Sequence, residues 1–152
     1  MLKKISLFLV IMVVGTCCAF AQQDAIRWRT TVKMTNATEG VLTIRALVGE
    51  GWHLYGTKLP KGGPKPTVLD FSASKGVKFT GEFKPSAIPV KKHDEMFGLT
   101  LSWWDKNVTF TRPFRLTGPK ADAVIEGKIT YMGCNDDNCL PPKTQTVRLN
   151  IK

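Results

Sequence analysis

Cysteine is scarce in this chain. There are four in 152 residues, and Cys17 and Cys18 fall near the start, so Cys134 and Cys139 are the only cysteines in the rest. Histidine is scarcer still, with only the isolated His53 and His93, which makes a dedicated metal centre a weak reading. After the opening residues no apolar stretch approaches the ~20 residues that a membrane helix requires. No segment offers three turns of helical periodicity between caps, so helix content is expected to be small. A dense cationic run is also missing. The formal net charge is +10, but the Lys and Arg residues are scattered over polar strand faces and turns without an RNA-binding motif. Nucleic acid is therefore not an expected partner, and the charge leaves only a general preference for acidic partners or anionic surfaces. Internal repeats, low-complexity tracts and a second domain are absent from the sequence pattern.

The opening residues carry an export signal. Lys3 and Lys4 form a basic start, Ile5 to Val14 an apolar run, and Ala19-Phe20-Ala21 a small-x-small cleavage site. Residues 1–21 are expected to be a signal peptide that leaves with Cys17 and Cys18, and residues 22–152 a single mature domain. The alternative is a lipoprotein signal with a lipid anchor on Cys17, for which Thr16 is a poor preceding residue. The mature chain of about 131 residues keeps a charge of about +8 once Lys3 and Lys4 are removed, and it is long enough to bury a core without disulfides. Export places Cys134 and Cys139 where a disulfide can form and persist.

The mature sequence reads as strands. Ile26, Trp28, Val32 and Met34 alternate with Arg27, Arg29, Thr31 and Lys33, a period of two that marks a half-buried strand. After a turn at Asn36 to Gly40, Leu42, Ile44, Ala46 and Val48 repeat the pattern. Further strands are expected at Trp52 to Tyr55, Thr67 to Ser72, Val77 to Thr80, Leu99 to Trp104, Val108 to Leu116, Val124 to Met132 and Thr144 to Ile151, separated by Gly, Pro, Asn and Asp. Many short strands in one domain of this size predict an all-β, antiparallel β-sandwich. Two long connections, Gly56 to Pro66 and Pro85 to Gly98, are expected to be irregular loops, and such loops often carry function. The second holds Met96 and Phe97, two large apolar side chains among charges that need something to cover.

Between the last two strands lies Tyr131-Met132-Gly133-Cys134-Asn135-Asp136-Asp137-Asn138-Cys139-Leu140-Pro141-Pro142. A disulfide across a loop of ~6 residues constrains the unfolded chain by only about 2 kcal/mol, against nearly 5 for a loop of ~100. So small a structural return invites a chemical explanation. Neither a helix N-terminus nor an adjacent cation is evident to acidify these thiols, and Asp136 and Asp137 oppose thiolate formation. Such thiols still exchange, because nucleophilicity rises with thiol pKa. Three readings stay open on the residues alone: a passive structural disulfide in an extracytoplasmic binding or chaperone-like module, a metal site in which His53, His93, Met96 or Met132 supplements two thiolates, and a redox-active dithiol.

Three separated motifs bear on that choice. Gly127 to Pro142, with Tyr131-Met132-Gly133-Cys134 and Cys139-Leu140-Pro141-Pro142, resembles the active-site hairpin of the N-terminal periplasmic domain of the DsbD thiol:disulfide interchange proteins. Gly51-Trp52-His53-Leu54-Tyr55 resembles that family's strand beside the site, and Asp94-Glu95-Met96-Phe97-Gly98 its cap loop. The resemblance extends over essentially the whole mature chain. It implies an immunoglobulin-like sandwich in the periplasm, without a cofactor or metal and monomeric, whose cysteines relay reducing equivalents from a membrane electron donor to thioredoxin-like proteins. Protein-disulfide reductase is then only a qualified enzyme label. By that likeness Cys139 attacks the partner's disulfide and Cys134 resolves the mixed disulfide. Asp94 and Glu95 border the site, Met96 or Phe97 covers the sulfurs, and His53 and Tyr55 line the pocket.

The chain departs from the family's pattern in four places. Four residues separate the cysteines where well-known members have five. Met96 stands at the principal cap aromatic, with Phe97 beside it, and His53 replaces an aromatic. The sequence stops at Lys152 without membrane or thioredoxin-like domains, so the expected electron donor is a separate membrane protein of DsbD type.

Overall fold

The computed structural model describes residues 24–152, and the expected signal segment with Cys17 lies outside them. Every strand pairing among the described residues is antiparallel. One sheet joins β1 (Ile26–Met34), β2 (Glu39–Val48), β9 (Val108–Leu116) and β5 (Val77–Phe79) in that order, with β6 (Lys84–Pro85) also on β9. Facing it are two smaller sheets. One orders β12 (Lys143–Asn150), β10 (Val124–Tyr131) and β4 (Val68–Asp70), and the other β11 (Gly133–Cys134), β3 (His53–Tyr55), β8 (Leu99–Trp104) and β7 (Val90–Asp94). Among the described residues the one helical element is a 3-10 turn at Lys120–Asp122, and no helix is long and apolar enough to cross a membrane.

Alternation drives this arrangement. Ile26 and Trp28 of β1, Leu42, Ile44 and Ala46 of β2, and Val108, Phe110 and Phe114 of β9 turn inward from the large sheet. They meet Leu54, Trp104, Ile125, Ile129, Tyr131 and Val147 from the small sheets. Aromatic pairs lock the layers together. Trp28 meets Tyr131 edge-on at 5.3 Å between ring centroids, and Trp104 meets Phe110 at 5.2 Å, geometries that favour aromatic packing. The β1–β2 turn is set by Asn36, whose side-chain oxygen accepts the backbone N–H groups of Thr38 and Glu39, an Asx turn.

Strands expected at Ile26–Met34, Leu99–Trp104 and Val108–Leu116 have those bounds in the structure. The Pro85 to Gly98 connection needs correction: it is not an irregular loop throughout. Val90–Asp94 is a strand paired to β8 from Val90↔Trp103 to Asp94↔Leu99, so the segment with Met96 and Phe97 is the tip of a hairpin. Gly56 to Pro66 does lack regular elements.

β10 admits only glycine at position 127. A Cβ there would fall on the Asp70 carbonyl oxygen and the Phe71 ring, where the turn after β4 packs onto β10. Gly127→Ala is therefore expected to lower the free energy of unfolding by about 1–3 kcal/mol, the usual cost of overpacking. The check is a lower urea midpoint with an unchanged slope.

Candidate functional site

The short sheet β11-β3-β8-β7 is apolar on both faces, and the site lies on the outer one. On β3, Leu54 enters the sandwich core, while its neighbours His53 and Tyr55 point the other way, as a period of two requires. On β8, Trp104 enters the core while Leu99, Leu101 and Trp103 face outward. Tyr55, Leu101 and Cys134 form the buried centre of a second apolar cluster, against which Leu59, Phe97, Met132 and Cys139 pack. Tyr55 and Leu101 are almost fully buried, although they lie on the side of the sheet away from the main core.

β10 stays in its own sheet as far as Tyr131, and the chain then crosses to this one. Gly133 pairs with Leu54 and Cys134 with His53. Directly opposed antiparallel residues share a face, so His53 and Cys134 are side-by-side neighbours. Asn135 builds the loop that returns the chain. Its side-chain oxygen accepts the N–H groups of Asp137 and Asn138 at 3.0 and 2.6 Å, and its own N–H donates to the Asn138 carbonyl at 2.8 Å. Cys139 thereby faces Cys134 across an antiparallel bridge, and the two are joined by a disulfide. The sulfurs differ in access: Cys134 is 1% exposed, whereas Cys139 is partly open at the surface. Pro141 and Pro142 follow, both exposed.

The β7–β8 tip closes over this loop, and Asp94 organises it. One carboxylate oxygen accepts the N–H groups of Met96 and Phe97 at 2.9 and 3.1 Å. The other accepts the Tyr55 hydroxyl at 3.3 Å. The turn ends at Gly98, whose N–H donates to the Asp94 carbonyl and whose φ of +63° suits glycine. Phe97 turns inward and meets the Tyr55 ring edge-on at 6.1 Å. Phe97 is half-buried there. Met96 stays 50% exposed and lays its Sδ 3.4 Å from Cys139 Sγ. A disulfide sulfur carries no hydrogen, so this is a van der Waals contact. Glu95 is exposed at the tip.

Beside the cap runs an open groove of about 600 Å³ lined by His53, Tyr55, Met96, Trp103, Asn135 and Asp136, among others. The His53 ring lies 5.0 Å from both Trp103 and Tyr55. Its Nε2 is buried with no hydrogen-bond partner among the described residues. Burial lowers the His53 pKa from the ordinary 6.5, against an upward pull from Asp94, Asp136 and Asp105. Tyr55 is pushed far up by burial first and by the Asp94 carboxylate second, so it remains a neutral hydrogen-bond donor.

The structure thus brings together His53, Tyr55, Asp94, Met96, Phe97, Cys134 and Cys139, with Glu95 on the rim. His93 lies exposed on β7, and among the described residues no group of three or more His, Cys, Asp and Glu is placed to hold a metal ion. Residue-level reasoning passed over Trp103, Asn135 and Thr67. Thr67 is 1% exposed and donates its hydroxyl to the Tyr55 carbonyl at 2.6 Å, fixing the end of β3. For Trp103 a signal existed, since Leu99, Leu101 and Trp103 alternate as cleanly as the core positions do.

Comparison with known proteins agrees with this geometry. The family model for the N-terminal region of the thiol:disulfide interchange protein DsbD matches residues 20–151. The chain belongs to this family. No curated protein matches it. Among solved structures, the N-terminal periplasmic domain of ScsB from Proteus mirabilis aligns over 86% of this chain at 15% identity and a TM-score of 0.58. The aligned region is 48% of the ScsB chain, so this chain spans about half the length of that one. The fold is shared, an immunoglobulin-like antiparallel sandwich. The yeast GGA1 GAE domain aligns at 13% identity over 86% of this chain and 96% of its own, with a TM-score of 0.46.

A neutral, half-buried His53 makes a specific prediction about pH. With a folded pKa below the unfolded one, the unfolded chain binds more protons once the pH falls through about 6.5, so stability is lost on acidification through that window. Melting temperatures measured from pH 7.5 to 5 are expected to fall more steeply for the native protein than for His53→Phe, which has no imidazole to protonate.

Proposed function

We propose that this domain is a periplasmic thiol-disulfide exchange module that passes reducing equivalents from a membrane donor of DsbD type to thioredoxin-like proteins. The observation that carries the reading is the asymmetry of the disulfide: Cys134 is 1% exposed, whereas Cys139 is open enough to be approached and is covered by one movable thioether. Membership of the DsbD N-terminal family supports it.

The exchange is written from the reduced dithiol. The Cys139 thiolate attacks one sulfur of the partner's disulfide, forming a mixed disulfide and releasing the partner's other cysteine as a thiolate. The Cys134 thiolate then attacks Cys139 Sγ. The intramolecular disulfide forms, the partner's second thiolate leaves, and two electrons with two protons have passed to the partner. A fresh dithiol from the donor reverses these steps and resets the domain. Burial of Cys134 beside His53 keeps the resolving sulfur away from other reactants while holding it next to Cys139. Asp94 and Glu95 border the approach, and His53 and Tyr55 wall the groove. The domain spans residues 22–152 after removal of a signal peptide of residues 1–21, acts as a monomer, and needs no cofactor because the sulfurs carry the electrons.

Trapping tests the roles. Cys134→Ala keeps the attacking thiol but has nothing to resolve the adduct, so incubation with an oxidised thioredoxin-like protein is expected to accumulate a mixed disulfide on non-reducing gels. Cys139→Ala is expected to give little. Equal adducts from both variants would overturn the role assignment. None from either would favour a binding module with a purely structural disulfide.

A further inference from the structure

We propose that Met96 is an oxidation site that sets access to the Cys134–Cys139 disulfide, its oxidant being a two-electron oxygen-atom donor of the hydroperoxide class. The inference concerns regulation of the exchange site and rests on that reading for its consequence in the cell. Its readout uses a small dithiol, so failure of partner exchange and failure of this proposal are separate results.

Three observations converge on this residue. First, Met96 is half exposed while its Sδ touches Cys139 Sγ at 3.4 Å, so one thioether meets both solvent and the sulfur it covers. Second, the competing sulfurs are less available. Met34 packs against the main core and Met132 against the outer cluster, and the two cysteines are already paired in a disulfide, which leaves no thiolate to enter the oxidation ladder. Third, the tip is anchored independently of the Met96 side chain. Asp94 holds the backbone N–H groups of residues 96 and 97, and Phe97 is seated against Tyr55.

Hydrogen peroxide transfers one oxygen atom to Sδ and departs as water. The thioether sulfur loses two electrons, the peroxide oxygen gains them, and no proton is left over. The product sulfoxide is larger, polar and a strong hydrogen-bond acceptor. The disulfide sulfur 3.4 Å away offers it no donor, whereas water lies immediately outside. The side chain therefore swings away and uncovers Cys139, while the backbone bonds that shape the tip persist. An aromatic cap takes up no oxygen under these conditions, so the device depends on the methionine at this position.

The experiment treats the disulfide form with hydrogen peroxide, removes the excess with catalase, maps oxidised peptides by mass spectrometry, and times reduction by dithiothreitol through thiol alkylation. Met96 is expected to gain oxygen before Met34 and Met132. The reduction rate is expected to rise several-fold, and methionine sulfoxide reductase to return it to the starting value. Met96→Leu, close in volume and not oxidisable, is expected to show the same rate before and after peroxide. The proposal is overturned if Met96 sulfoxide leaves the rate unchanged, if Met34 or Met132 oxidises first, or if peroxide accelerates Met96→Leu equally. The last result would locate the effect in general loosening of the fold.

Discussion

The site depends on a sheet that must be covered on both faces. β3 and β8 send Leu54 and Trp104 into the sandwich core and Tyr55, Leu101 and Trp103 out of the opposite side. Fully burying a side chain of this size is worth about 1.5–3 kcal/mol, so leaving the outer face wet would forfeit several such terms. The β7–β8 tip with Phe97, the Gly56 to Pro66 loop with Leu59 and the cysteine loop supply the cover. A disulfide inside a small apolar cluster follows from that demand. Because the cover is made of loops rather than a second sheet, it can move where a core could not.

Asp94 couples this cover to the wall of the groove. One carboxylate shapes the tip through two backbone N–H groups and restrains Tyr55 through the other oxygen, so cap and groove share a single anchor. Its charge acts in opposition to burial at His53 and together with burial at Tyr55. Both rings nonetheless stay neutral near pH 7, and the cystine is surrounded by uncharged groups on its inner side. Charge lies outside this cluster: Glu95 and Asp136 are exposed, and Asp94, Lys92 and Lys106 line the groove. Tyr55, Leu101, Phe97 and Met132 cluster with the sulfurs, an apolar setting that fits thiols whose exchange is governed by access more than by acidity.

The sandwich was legible because most of its strands are half-buried. Ile26 to Met34 and Val108 to Leu116 alternate, and alternation is a direct imprint of one wet and one dry face. Where burial does not alternate, the strand is invisible. Val90-Lys91-Lys92-His93-Asp94 is an edge strand whose positions are nearly all exposed, held by backbone hydrogen bonds that leave no mark on residue type. Gly133–Cys134 and Lys84–Pro85 are too short to show a period. The family motifs brought His53, Tyr55, Asp94, Met96, Phe97 and the two cysteines into view. What they lacked was register: the pairing of Cys134 with His53 and the placing of Met96 over Cys139 with Phe97 turned inward are three-dimensional facts. Asn135 and Thr67 act through side-chain hydrogen bonds to backbone, which no periodicity records.

The central claim is that the Cys134–Cys139 bond exchanges and is not a permanent cross-link. Its reduction potential, measured by equilibrating the folded protein in glutathione buffers and quantifying the thiols, tests this most directly. The account predicts a fully reversible titration with a potential above about −300 mV, the region below which structural disulfides of secreted proteins fall. A bond that stays oxidised in every buffer, or that reduces only as the domain unfolds, would contradict it.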